Sequence, residues 1–167
     1  MIRKTDIKIG DVYVARSVYN SLSRDYAKLL SEVVLSIKTL ELIKFYNDMT
    51  YRIGPCYYPL GQSKDYTTLG IYHFLEKSLE ISPRQKRYTF ILNIIHELIH
   101  AEQHYTGQYK LEVAADGYVT GWWENVNITD KILEWEYYDR PWEINAIAKE
   151  IELVTPIYKN LIKREVI

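Results

Sequence analysis

Cysteine is all but missing from this sequence, with Cys56 the single thiol. One thiol cannot close an internal disulfide, which excludes a disulfide-stapled scaffold and points to a reducing compartment. Long hydrophobic runs are lacking too. No stretch reaches the roughly 18 apolar residues that span a bilayer, and the Arg3-Lys4 pair leads into no apolar signal-peptide core. A soluble, cytoplasmic protein is expected. Gly (7) and Pro (5) are too few for a linker-dominated chain, and no repeat or polar tract divides it, so residues 1–167 are read as one domain. Charge of one sign is not in excess: 21 Lys+Arg against 22 Asp+Glu leave a formal net charge of -1. That removes the global electrostatic reason to expect a nucleic-acid or membrane partner. Phenylalanine is scarce, at 3 against 16 tyrosines, so the aromatic surface carries hydroxyl groups. Apolar residues in general are plentiful, and 47% hydrophobic content over 167 residues supplies one sizeable core.

The apolar pattern predicts the elements. Residues 7–14 (IKIGDVYV) alternate around Gly10-Asp11 and read as a short strand or hairpin. From Ser23, apolar positions Tyr26, Leu29, Leu30, Val33, Val34, Ile37, Leu40 and Ile43 recur at helical spacing and predict a long amphipathic helix to about Phe45. Residues 51–58 (YRIGPCYY) read as a strand piece and a turn at Gly54-Pro55. In residues 68–75 (TLGIYHFL) a period of two predicts a strand, with Leu79-Glu80-Ile81 its partner across a short turn. Residues 86–105 lack Gly and Pro and are apolar on most sides, which predicts a buried helix ending near Thr106-Gly107. Residues 111–123 are read as a further helix despite Gly117 and Gly121. Residues 142–161 are read as helical, opened by Pro141 and interrupted near Pro156.

Within the buried helix stands His96-Glu97-Leu98-Ile99-His100, an HExxH pattern. Residues four apart share one helix face about 6 Å apart, so both imidazoles can reach one Zn²⁺. Glu97 projects beside them, where it can take a proton from metal-bound water. Asn93, His96, Glu97, His100 and His104 form a polar stripe on an otherwise apolar helix, and such a stripe facing a core is costly unless something compensates it. A metal does so. A catalytic zinc takes three protein ligands and leaves a fourth position for water. His104 cannot be the third, because positions i, i+4 and i+8 spread over about 12 Å of helix. The metzincin pattern also fails, since Gln103 and Thr106 stand at its Gly and last His positions. Two glutamates remain: Glu143, in the first turn of a helix begun by Pro141, and Glu112, in the stretch Glu112-Val113-Ala114-Ala115-Asp116.

The stretch HELIHAEQ, followed tens of residues later by YYDRPWEINA, resembles the small zincin-like metallopeptidase domains of bacteria and phages, in which HELxHxxQ precedes a Tyr-rich segment and an N-P-x-E-x-x-A motif. Arg140 stands where that motif has Asn. The resemblance spans roughly residues 68–149. It implies Zn²⁺ held by His96, His100 and Glu143, with Glu97 as general base. The element EVAAD resembles the ExxAD of another gluzincin-like group and implies Glu112 instead, but only 12 residues separate it from His100. Glu143 is the favoured ligand.

The expected fold is therefore α+β and minimal zincin-like: a long N-terminal helix, a small mixed or antiparallel sheet with an edge strand, the HExxH helix, and C-terminal helices. The resemblance implies a peptide or protein substrate lying along the edge strand at Gly70–Phe74. Tyr137 and Tyr138 are the best local donors for the oxyanion, with simple packing beside the third ligand the other reading of either one. His73 on that strand reads as an ordinary cross-strand residue. Two other readings stand beside the peptidase: a weak or inactive zincin-like domain that binds a partner protein, and a helical interaction domain in which HExxH is coincidental and no zinc is bound. A monomer fits all three.

Overall fold

The computed structural model describes residues 2–56, 69–132 and 134–167. Tyr57 and Tyr58, at the end of one segment read from the sequence, and Thr68, at the start of the next, lie outside them.

The described residues form an α+β fold, with three α-helices and two sheets. Strands β1 (Ile7–Ile9) and β2 (Val12–Val14) form the expected hairpin, its turn carried by Gly10 at φ 57. Helix α1 (Ser21–Thr39) then returns the chain so that β3 (Thr50–Ile53) pairs parallel to β2. Strand β5 (Ser78–Ile81) is parallel to β3, and β4 (Gly70–His73) pairs antiparallel to β5 at the sheet edge. The sheet order is β1-β2-β3-β5-β4, a mixed sheet with β1 at one edge and β4, the strand read from the alternation, at the other.

Helix α1 starts on a capping box, Asn20 with Ser23, and ends earlier than the expected Phe45. Glu41 takes a left-handed conformation (φ 52), and the Leu42 N–H turns back to the Ile37 carbonyl, a Schellman-type stop. Ile43 and Phe45 still enter the core, from the loop. Helix α2 (Arg87–Thr106) is capped by Gly107 at φ 74, as its sequence predicts. Helix α3 (Pro141–Lys163) starts at Pro141 but is one helix: it continues through Pro156, where Leu153, Ile157 and Leu161 are buried. The single helix corrects the expected plural C-terminal helices.

Residues 111–123 are not a helix. They form the hairpin of β6 (Tyr109–Val113) and β7 (Val119–Trp123), to which β8 (Val126–Asn127) adds as a third strand. Asp116-Gly117 makes the turn, with Gly117 at φ 85, and the alternation of Tyr109, Leu111 and Val113 is a strand period. Helices α1 and α2 pack on the five-stranded sheet, and α3 packs across both. The main core gathers Leu30, Val33 and Ile37 of α1, Ile53, Leu79 and Ile81 of the sheet, Ile91, Ile95 and Leu98 of α2, and Ile157 and Leu161 of α3. A smaller aromatic cluster, Tyr109, Trp123, Trp135 and Trp142, joins the three-stranded sheet to the start of α3. Among the described residues no helix is long and apolar enough to cross a membrane.

Candidate metal centre

Helix α2 buries apolar residues on most of its circumference and turns His96 and His100 toward α3. Because α3 begins at Pro141, Glu143 falls in its first turn, facing them. His96 Nε2 and His100 Nε2 lie 3.1 Å apart, and Glu143 Oε2 lies 3.2 Å from the first and 3.3 Å from the second. These three residues are the group of described side chains whose donor atoms converge closely enough to hold one ion. Tetrahedral ligands at zinc bond lengths of about 2.0–2.1 Å stand roughly 3.3 Å from one another, so the triangle has the size of a zinc face.

The far side of each ring is engaged. His96 Nδ1 lies 3.1 Å from Glu150 Oε2, an acceptor, so Nδ1 donates. His100 Nδ1 lies 2.9 Å from Gln103 Oε1, while Gln103 Nε2 donates to the Trp142 carbonyl (2.9 Å) and to Asn145 Oδ1 (3.0 Å). Both Nδ1 atoms are donors, which leaves the Nε2 atom of each ring facing the Glu143 carboxylate. Three ligand-type atoms meet at one point. The electrostatics agree. Burial opposes charge on His96, yet Glu143 and Glu150 outweigh it and raise its pKa to about 10; His100 is raised against its own burial by Glu143. Burial raises Glu143, but the two histidines and the Tyr137 hydroxyl hold it well below the usual carboxylate range. The cluster draws positive charge.

Glu97, 9% exposed, points to the sheet edge instead: its Oε2 accepts the Tyr72 backbone N–H of β4 at 2.8 Å. Gly70 keeps this approach uncrowded, since a Cβ there would stand 3.1 Å from Glu97 Cγ and 2.8 Å from Ile81 Cδ1, and both side chains would have to shift. Tyr137 lies on the 3-10 turn just before α3, its hydroxyl 3.4 Å from His96 Nε2. Tyr138, expected as an equivalent donor, is not with the cluster. It is 73% exposed and its ring packs edge-on against Tyr137. Glu112 is exposed on β6, opposite Thr120, and is not in the donor group; Asp116 caps the hairpin turn through the Tyr118 N–H. His104 sits among the rings of Phe74, Tyr72 and Tyr109. Arg140 packs over the Tyr137 and Trp142 rings.

The sequence reading missed Glu150 and Gln103. Both leave a faint signal: Glu150 follows Glu143 by two helical turns, and Gln103 follows His100 by one, each on its partner's helix face.

No family model matches the chain, and comparison with curated proteins and with solved structures returns no significant match.

Proposed function

We propose that this protein is a zinc-dependent hydrolase of peptide or amide bonds, of the small zincin-like, gluzincin type, with His96, His100 and Glu143 as metal ligands and Glu97 as general base. One observation carries the reading: His96 Nε2, His100 Nε2 and Glu143 Oε2 converge at 3.1–3.3 Å while both Nδ1 atoms are engaged elsewhere. Zinc bound there would supply a Lewis acid for the scissile carbonyl and lower the pKa of a water toward about 7. Glu97, whose Oε2 accepts the Tyr72 N–H, would have Oε1 to take a proton from such a water and pass it to the leaving amine. The Tyr137 hydroxyl stands at the ligand triangle, where it can donate to the developing oxyanion. Among the described residues strand β4 is a sheet edge, along which an extended peptide would add beside Glu97, the acceptor of its Tyr72 N–H.

A second reading is favoured by the burial of the ligand side chains, 7–14% exposed: a metal-stabilised module that binds a partner protein without cleaving it. The two separate experimentally. Both expect about one zinc per chain, kept in Glu97→Gln and lost in His96→Ala. The hydrolase further expects new protein N-termini in a lysate treated with the parent but not with Glu97→Gln. Absence of any difference assigns the binding role, and absence of zinc from carefully purified parent protein removes both readings.

A further inference from the structure

Gln103 is 1% exposed, and each polar group of its amide is used. Nε2 gives one hydrogen to the Trp142 carbonyl and the other to Asn145 Oδ1, and Oε1 receives the His100 Nδ1–H. The amide cannot be turned over without setting Oε1 against the Trp142 carbonyl, which can only accept, so its orientation is fixed by its partners. Trp142 and Asn145 flank Glu143 in the first turn of α3. One side chain of α2 therefore holds the ring of one ligand and the backbone that carries another. Glutamate at this position could accept from His100 but could not donate to α3; methionine would fill the space and do neither.

We infer that Gln103 is a positioning residue that couples the docking of α3 to the presentation of His100 Nε2, so that the two histidines and Glu143 form a donor set only when α3 is seated. The inference rests on the reading of these three residues as ligands. It deepens that reading by giving the HELIHAEQ glutamine a task that the HExxH pattern alone does not contain.

The test uses the full chain with Gln103→Met and Gln103→Glu, and three readouts: protection of the His100 Nδ1–H from solvent exchange by NMR, zinc affinity by chelator competition, and the visible absorption of the cobalt(II) form. Folded Gln103→Met is expected to lose the protected Nδ1–H, to bind zinc about 10–100-fold more weakly and to show an altered cobalt spectrum. Gln103→Glu is expected to keep the protected Nδ1–H, with a smaller loss of affinity. A residue that merely fills space would lower thermal stability and leave all three readouts as in the parent. That result in Gln103→Met overturns the inference. Should Gln103→Met fail to fold, Gln103→Glu decides alone: a protected Nδ1–H with weakened zinc binding supports it, and parent-like affinity overturns it. If the parent itself takes up no zinc, the ligand reading fails, and the Nδ1–H signal in the parent and the variants still decides whether Gln103 holds His100.

Discussion

His104 is the one histidine of α2 that stands outside the donor set, and its surroundings give it a different property. Its ring stacks on Phe74 and tilts against Tyr72 and Tyr109. Burial, reinforced by the charge on His100, holds its pKa down to about 4. The unfolded chain has the ordinary value near 6.5, so the unfolded state binds the proton more readily. Stability from this group is thus fully present above about pH 6.5 and is lost as pH falls toward 4, by on the order of 3 kcal/mol. Denaturant titrations across that window should show the loss in the parent, and His104→Phe, which keeps the ring packing, should flatten it; an equal loss in both proteins would refute the assignment. Glu150 acts through its neighbour: its carboxylate holds the His96 ring by Nδ1. Glu150→Leu should weaken zinc binding about 10–100-fold, measured by chelator competition, and parent-like binding would leave Glu150 without that role.

The three α-helices differ in how plainly their sequences state them. Helix α2 is legible because its period, the absence of Gly and Pro inside it and the Gly107 stop all agree. The end of α1 is not, because a non-glycine residue, Glu41, takes the left-handed position and the apolar pattern runs on into a loop that the core also uses. The β6–β7 hairpin misleads because Glu112 and Asp116 mimic a helical spacing, while the decisive signal is the two-residue alternation on either side of Asp116-Gly117. At the site, His96, Glu97 and His100 are legible because one helix turn places them. Glu143 is legible through its place in a first turn and a resemblance. Gln103 and Glu150 are hidden because their partners on the facing helix lie 39 to 54 residues away and meet them only when α3 docks. Pro156 shows how packing overrides a local rule: it removes a hydrogen bond inside α3, yet buried residues on both sides keep the helix whole. Pro156→Ala restores the bond and should stabilise the protein by about 1–3 kcal/mol, read as a higher Tm; a lower Tm would mean that the ring's own packing matters more.

Across the whole molecule, the candidate site joins two helices that are separate in sequence and meet only in the fold. His96 and His100 come from α2, which packs on the sheet, and Glu143 comes from α3, which packs on the outside of α1 and α2. The α2–α3 seam carries further polar ties, the Lys149–Glu102 ion pair and the Gln103 amide. A metal held across this seam is a cross-link present only in the folded state, because the unfolded chain does not bring the three donors together. Binding then stabilises by mass action: zinc at about 1,000 times its Kd adds about 4 kcal/mol, which for a chain of this size raises Tm by roughly 8–16 °C. Thermal unfolding with zinc and with a chelator should show that difference. The pattern among variants is the stricter test. The zinc-dependent shift should vanish in His96→Ala and Glu143→Ala, because each removes a corner of the triangle. It should persist in Glu97→Gln, whose side chain faces β4, and in Glu112→Ala, whose side chain is exposed on the hairpin. A shift that survives Glu143→Ala and disappears in Glu112→Ala would transfer the third ligand to the hairpin and require β6 to move onto α2.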